Sequence, residues 1–227
     1  MAAVCFIVSG NLGKYSRTWF EDAYYRLMFS SGTIWRMKSG ESLPLSTEEQ
    51  RAAACSRFFV LCRSLKESEQ AAELKSLQEQ LPLDPTRQFP ERFTFLSSEQ
   101  MRSLQQSGVE IGAHTITHPI LSMSSDETAR NEIARSKVQL EECSGVAVRA
   151  FAYPFGAPGL DFAGRERDFA RQSGFLFAFA GEGGCIERTN DPFNLPRTGI
   201  GKTTRSQFAA TITGTTDSLK ALFRRRV

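Results

Sequence analysis

Apolar positions along this chain recur with two periods, near two in short stretches and near 3.6 in longer ones, and the interleaving of the two predicts an α/β fold. Val109, Ile111 and Ala113 alternate with Glu110 and Gly112, the pattern of a strand with one buried face. Ala150–Ala152 and Leu176–Ala180 are further strand candidates, with a helix over 165–173 between them. Ser97 with Gln100, and Ser124 with Glu127, have the spacing of capping boxes, and Gly108 and Gly145 close the helices that they open. In the second of these helices Ala129, Ile133, Ser136 and Leu140 share a face, which places Arg130, Glu132, Lys137 and Glu141 away from the core.

The stretch from Trp19 to Leu81 has a different texture. Trp19, Phe20, Ala23, Tyr24 and Met28 fall at helical spacing, residues 33–37 and 41–45 flank a Ser39-Gly40 turn as a small hairpin, and 47–65 and 67–81 read as two more helices. Pro82, Pro85 and Pro90 then make a stiff connector. Residues 19–95 are expected to form a helical insertion within one domain spanning 1–227. Its aromatic residues Trp19, Tyr24, Tyr25 and Trp35 suit either ordinary packing or the lining of a sugar groove.

Composition narrows the class without choosing a function. With 41% hydrophobic residues in 227, the chain can bury a sizeable core, and a net charge of +3 gives no reason to expect nucleic acid. The Arg224–Arg226 run reads as a solvated helix end. No stretch has the apolar length of a membrane span. Five cysteines, at 5, 55, 62, 143 and 185, are odd in number and form no Cys-x-x-Cys pair, so they read as core thiols and lean toward a reducing compartment, cytoplasmic if anything; localisation is otherwise open.

The chemistry concentrates around the only two histidines, His114 and His118. They follow the Val109–Ala113 strand, and Pro119 biases His118 away from helical dihedrals, so the pair belongs to a loop. Imidazole is the commonest protein ligand for a divalent metal, and two from one short loop can share an ion; two loop histidines with satisfied hydrogen bonds are the alternative. Downstream, Pro154 and Gly156 flank Phe155 in a bend that can present the Phe155 amide as a fixed donor.

Taken together, Gly-Ala-His-Thr-Ile-Thr-His-Pro at 112–119 and Phe-Ala-Tyr-Pro-Phe-Gly at 151–156 resemble the polysaccharide deacetylases of carbohydrate esterase family four, the NodB-type homology domain. The likeness runs from the strand near Cys5–Val8 to one near Leu195–Arg197. It implies a deformed (β/α) barrel and a hydrolase that removes acetyl groups from an N- or O-acetylated carbohydrate polymer. It also implies a divalent metal, with zinc first, held by His114 and His118, an oxyanion held by the Phe155 amide, and substrate contacts at Tyr153, Pro154 and Gly156. The expected partner is an acetylated glycan.

The sequence departs from that pattern in three places. The family's opening Thr-Phe-Asp-Asp strand, source of the base and of a third ligand, is not found, so the barrel is expected to lack its first strand and the chain alone to be impaired. A truncated deacetylase is the favoured explanation, and an inactive glycan-binding or scaffold homologue the alternative. Ala152 stands where relatives carry an arginine that steadies the base, and Arg149 falls on the opposite face. No histidine remains for the late general-acid position. There the chain has Arg197, whose pKa unsuits it to donate a proton, and Asp191, which reads as a surface carboxylate.

Overall fold

Alternating β-branched and aromatic positions next to helices with clear caps produce an α/β layer structure. The computed structural model describes residues 3–83, 93–181, 183–184, 186–197, 204–205 and 207; Pro85, Pro90, Cys185 and Arg224–Arg226 lie outside them. Along the chain run β1 (Ala3–Ile7), α1 (Trp19–Phe29), β2 (Ile34–Arg36), β3 (Ser42–Pro44), α2 (Glu48–Cys62), α3 (Glu67–Gln80) and α4 (Ser98–Gln106). They are followed by β4 (Val109–Ala113), α5 (Asp126–Ser144), β5 (Ala150–Ala152), α6 (Gly164–Gln172) and β6 (Phe177–Phe179).

Four strands form a parallel sheet in the order β1-β4-β5-β6. Ile7 is in register with Ala113, Ala113 with Phe151, and Phe151 with Ala178. The expected strand near residue 195 is a single bridge, Leu195 to Phe179. Ile7, Ile111, Ala113 and Phe151 point to one face, where Met101 of α4, Ile133 and Leu140 of α5 and Phe169 of α6 complete the main core. Sheet residues on the other face stay partly open, with Val4 at 38% and Phe177 at 46% exposure. The described residues therefore make an open sheet rather than a closed barrel, and among them the outer edge of β1 has no strand partner.

Helix starts follow the caps with one shift. Ser97 accepts from the Gln100 amide as expected. The N-cap of α5 is Ser125, bonded to the Thr128 amide, because Ser124 turns its hydroxyl inward to the Ile120 carbonyl. Gly145 ends α5 in the left-handed region, at φ 71°.

Residues 19–81, joined by Ile120, build a second apolar cluster. Ala23 and Leu27 of α1, Trp35 of β2, Leu45, Ala54 and Phe58 of α2, and Leu77 of α3 gather there, with β2 and β3 paired antiparallel as the hairpin. Trp35 and Tyr25 are buried packing residues. Cys55 and Cys62 are buried on the shared face of α2, and burial pushes their thiols up to about 11 and about 12, so both stay protonated and inert at neutral pH. Among the described residues no helix is long and apolar enough to cross a membrane.

Candidate metal and oxyanion site

The site sits at the carboxyl ends of the parallel strands, where loops leave a sheet that fixes their starting points. His114 follows β4 directly, and its amide donates to the Ile7 carbonyl (3.0 Å). The four residues after it fold into a tight loop in which Thr115 and His118 both take left-handed dihedrals, at φ 65° and 63°. Non-glycine residues seldom adopt that region, and such strain collects at functional sites. The Thr115 hydroxyl closes the loop by accepting from the His118 amide at 3.0 Å.

This folding turns the two imidazoles toward each other. Their Nε2 atoms are 3.1 Å apart, with the ring planes at 85°. Two nitrogens bound to one ion at about 2.0–2.1 Å stand about 2.9–3.4 Å apart for ordinary ligand angles, so the spacing fits a shared divalent cation. His114 Nδ1 lies 2.7 Å from the Ala152 carbonyl oxygen. A carbonyl only accepts, so that nitrogen carries the proton and Nε2 presents its lone pair. Burial lowers His114 to about 4, against a raising hydrogen bond to Ala152; burial, then the neighbouring His114, lowers His118 to about 3. Both rings are neutral at neutral pH, as ligation requires.

Aromatic rings wall the pair. Phe20 and Phe155 lie 4.7 and 4.9 Å from the His118 ring, and the Trp19 indole N–H donates to the His118 carbonyl at 2.9 Å. His118 Nδ1 is buried and, among the described residues, has no hydrogen-bond partner. Among the described residues no third His, Cys, Asp or Glu stands close enough to complete a metal cluster. Arg197 carries its charge close enough to lower both histidines, and burial lowers its own pKa.

The second segment forms the anticipated bend. Phe155 takes φ 58°, and the Gly156 amide reaches back to the Pro154 carbonyl at 2.6 Å, a three-residue turn. Gly156, at φ 80°, lies so close to Gly181 that a Cβ there would strike its amide nitrogen. Among the described residues the Phe155 amide has no acceptor. Tyr153 is fully buried, stacks on Phe162 at 3.7 Å and gives its hydroxyl to the Phe193 carbonyl. Tyr153 and Phe151 share the core-facing side of the strand, so the Tyr153 side chain packs into the core beneath the bend. Pro154 is buried as well.

Sequence reasoning missed Glu132. It is buried rather than turned away, and its carboxylate accepts from the Ile116 amide (2.7 Å), the Thr117 amide (2.9 Å) and the Thr117 hydroxyl (2.8 Å). At about 100° per residue Glu132 falls on the edge of the Ala129–Ser136 stripe, which was the available signal. Arg63 and Asp161 were also missed: they form a two-point ion pair, at 2.9 and 3.2 Å, between the end of α2 and the loop after the bend. Asp191 pairs with Arg167 at 3.0 Å, as a surface carboxylate would.

The sequence profile for polysaccharide deacetylase matches residues 1–175. The chain belongs to the polysaccharide deacetylase family. Among solved structures this family member is similar to a polysaccharide deacetylase from Bacillus cereus, with 27% identity over 52% of this chain and 37% of that one and a TM-score of 0.47. It is also similar to the Streptococcus pyogenes deacetylase PplD in complex with acetate (24% identity, 46% of this chain, 44% of that one, TM-score 0.43). A third is a de-N-acetylase from Aggregatibacter actinomycetemcomitans (22% identity, 59% of each chain, TM-score 0.45). This chain thus spans less than two thirds of the length of each. No curated protein matches it.

Proposed function

We propose that this chain carries the metal-gripping and oxyanion-holding half of a hydrolase that removes acetyl groups from an N- or O-acetylated carbohydrate polymer. The single observation that carries the reading is the approach of His114 Nε2 and His118 Nε2 to 3.1 Å, with neutral rings and a proton fixed on His114 Nδ1. Family membership supports the acetylated-glycan substrate. A divalent ion held by His114 and His118, zinc first, would supply Lewis acidity to the acetyl carbonyl. Phe155 offers its amide to the oxygen of that carbonyl as negative charge develops, and the Pro154–Gly156 bend keeps that donor in place. Tyr153 acts from beneath, through the backbone it anchors.

Among the described residues the base is not found. Hydrolysis needs a carboxylate to take the proton of the attacking water, and none of the described carboxylates stands with the histidines. We place it on a further strand against the open edge of β1, which would also bring the sheet toward barrel closure, with residues 19–95 as an insertion laid over it. Without that strand the chain should hold metal weakly and turn over poorly. The absence of a third ligand among the described residues equally favours a second reading, an inactive glycan-binding homologue.

Zinc titration and acetate release separate the possibilities. The 227-residue chain should take up one zinc ion, and His114→Ala should abolish that uptake. Extension upstream by a strand carrying paired aspartates should bring acetate release from acetylated chito-oligosaccharides. Zinc content unchanged in His114→Ala would refute the metal site, whereas zinc uptake without acetate release from the extended chain would support the binding homologue.

A further inference from the structure

We infer that Glu132 is a positioning residue that sets the spacing of the His114–His118 pair, and so its affinity for metal, from the far side of the loop. The inference rests on the metal reading above. The amides of Ile116 and Thr117 point the same way because the left-handed turns at Thr115 and His118 bracket them, and successive N–H groups so arranged make a concave anion seat. The Glu132 carboxylate fills that seat from α5, with three donors at 2.7–2.9 Å. Its side chain is buried and has no basic partner among the ion pairs of the described residues, so the loop itself supplies the compensation.

The same four residues are tied on their other sides by weaker, neutral bonds. Ser9 and Gly10 donate their amides to the carbonyls of Thr115 and Ile116, each at 3.0 Å, and Trp19 caps the His118 carbonyl. Only the Glu132 bonds are charge-assisted, and they grip the two residues midway between the ligands. Releasing them lets the bracket between the imidazoles relax, and the Nε2 atoms then lose their common focus. Partners behind metal ligands commonly hold about ten- to a hundredfold in metal affinity.

Calorimetric titration of zinc(II) into the 227-residue chain and its Glu132→Gln and Glu132→Asp variants tests this, together with hydrogen exchange at the Ile116 and Thr117 amides in metal-free protein. Glu132→Gln keeps the shape but removes the charge: its oxygen can still take the two amides, now as neutral bonds, while its NH2 replaces the acceptor that faces the Thr117 hydroxyl. It should bind zinc about ten- to a hundredfold more weakly and exchange those two amides faster, with partial rescue in Glu132→Asp. Should the glutamine variant not fold, the aspartate variant must show the same weakening to a lesser degree. Lowered thermal stability with wild-type zinc affinity in the folded protein would overturn the inference and reduce Glu132 to a structural role. Failure of the unmodified chain to bind zinc would instead overturn the metal reading, while amide exchange unaltered by Glu132→Gln would overturn the seat on its own.

Discussion

Replacing Arg63 by methionine should loosen the end of α2 from the loop that holds Asp161, and the size of the effect follows from the burial of its partner. Asp161 has a fully buried side chain and accepts Arg63 Nε at 2.9 Å, Nη2 at 3.2 Å and the Ala157 amide at 2.9 Å. Removing one member of a buried ion pair costs about 3–5 kcal/mol, because a charge is left without compensation. Arg63 is 35% exposed, so water entering behind the shorter methionine recovers part of that, and about 2–3 kcal/mol should remain. For a chain of this length the melting point should fall by about 4–12 °C. Urea unfolding followed by circular dichroism at about pH 7.5 reads the single variants and the Arg63→Met/Asp161→Asn double variant. The asparagine side chain keeps an oxygen for the Ala157 amide and carries no charge, so the double variant should be more stable than the sum of the singles predicts, by about 1.5 kcal/mol or more. A cost below about 0.5 kcal/mol for Arg63→Met, or an additive cycle, would refute the reasoning.

Two other perturbations address the histidine loop. His114 and His118 have folded values of about 4 and about 3 against an ordinary 6.5, so as pH falls below about 6.5 the unfolded chain binds protons first. The stability that neutral histidines contribute is complete above that pH and lost toward pH 4. At about pH 5 linkage gives a loss of about 2 kcal/mol per ring in metal-free protein, and a His114→Asn/His118→Asn variant should lose correspondingly less stability between about pH 7.5 and 5; equal pH slopes in urea midpoints would contradict this. Trp19→Phe keeps an aromatic ring but leaves the His118 carbonyl without its donor, which should cost about 1–2 kcal/mol in the same unfolding assay, and an unchanged midpoint would show that the bond contributes nothing.

Much of the scaffold was legible because it is local. The strands at 109–113 and 150–152, the helices over residues 48–62 and 67–80, and the Ser39-Gly40 hairpin each follow from a period or a turn signal contained within a few residues. The histidine pair and the Pro154–Gly156 bend were legible for the same reason. What escaped depends on separation. Asp161 finds Arg63 from 98 residues away, and Glu132 reaches a loop 15 residues upstream that accepts a carboxylate only because two non-glycine residues adopt left-handed dihedrals. Histidine visits the left-handed region more readily than most residues, but no residue preference announces it at threonine. Tyr153 was open to a better reading, since period two puts it on the same face as Phe151, toward the core.

His118 is where these separate pieces meet. Its amide is held by Thr115, its carbonyl by Trp19, and its ring by Phe20 and Phe155, so the loop, α1 and the bend each fix one part of a single residue. Left-handed dihedrals at Thr115, His118 and Phe155 cost about 1–3 kcal/mol apiece and persist only where the surroundings over-determine them. The Glu132, Ser9, Gly10 and Trp19 bonds are that over-determination. A loop held this tightly from three directions cannot close around an ion after the fact; the imidazoles must already face each other when the ion arrives. That makes Trp19 and Phe20 part of the site, because without them one of the three directions is gone.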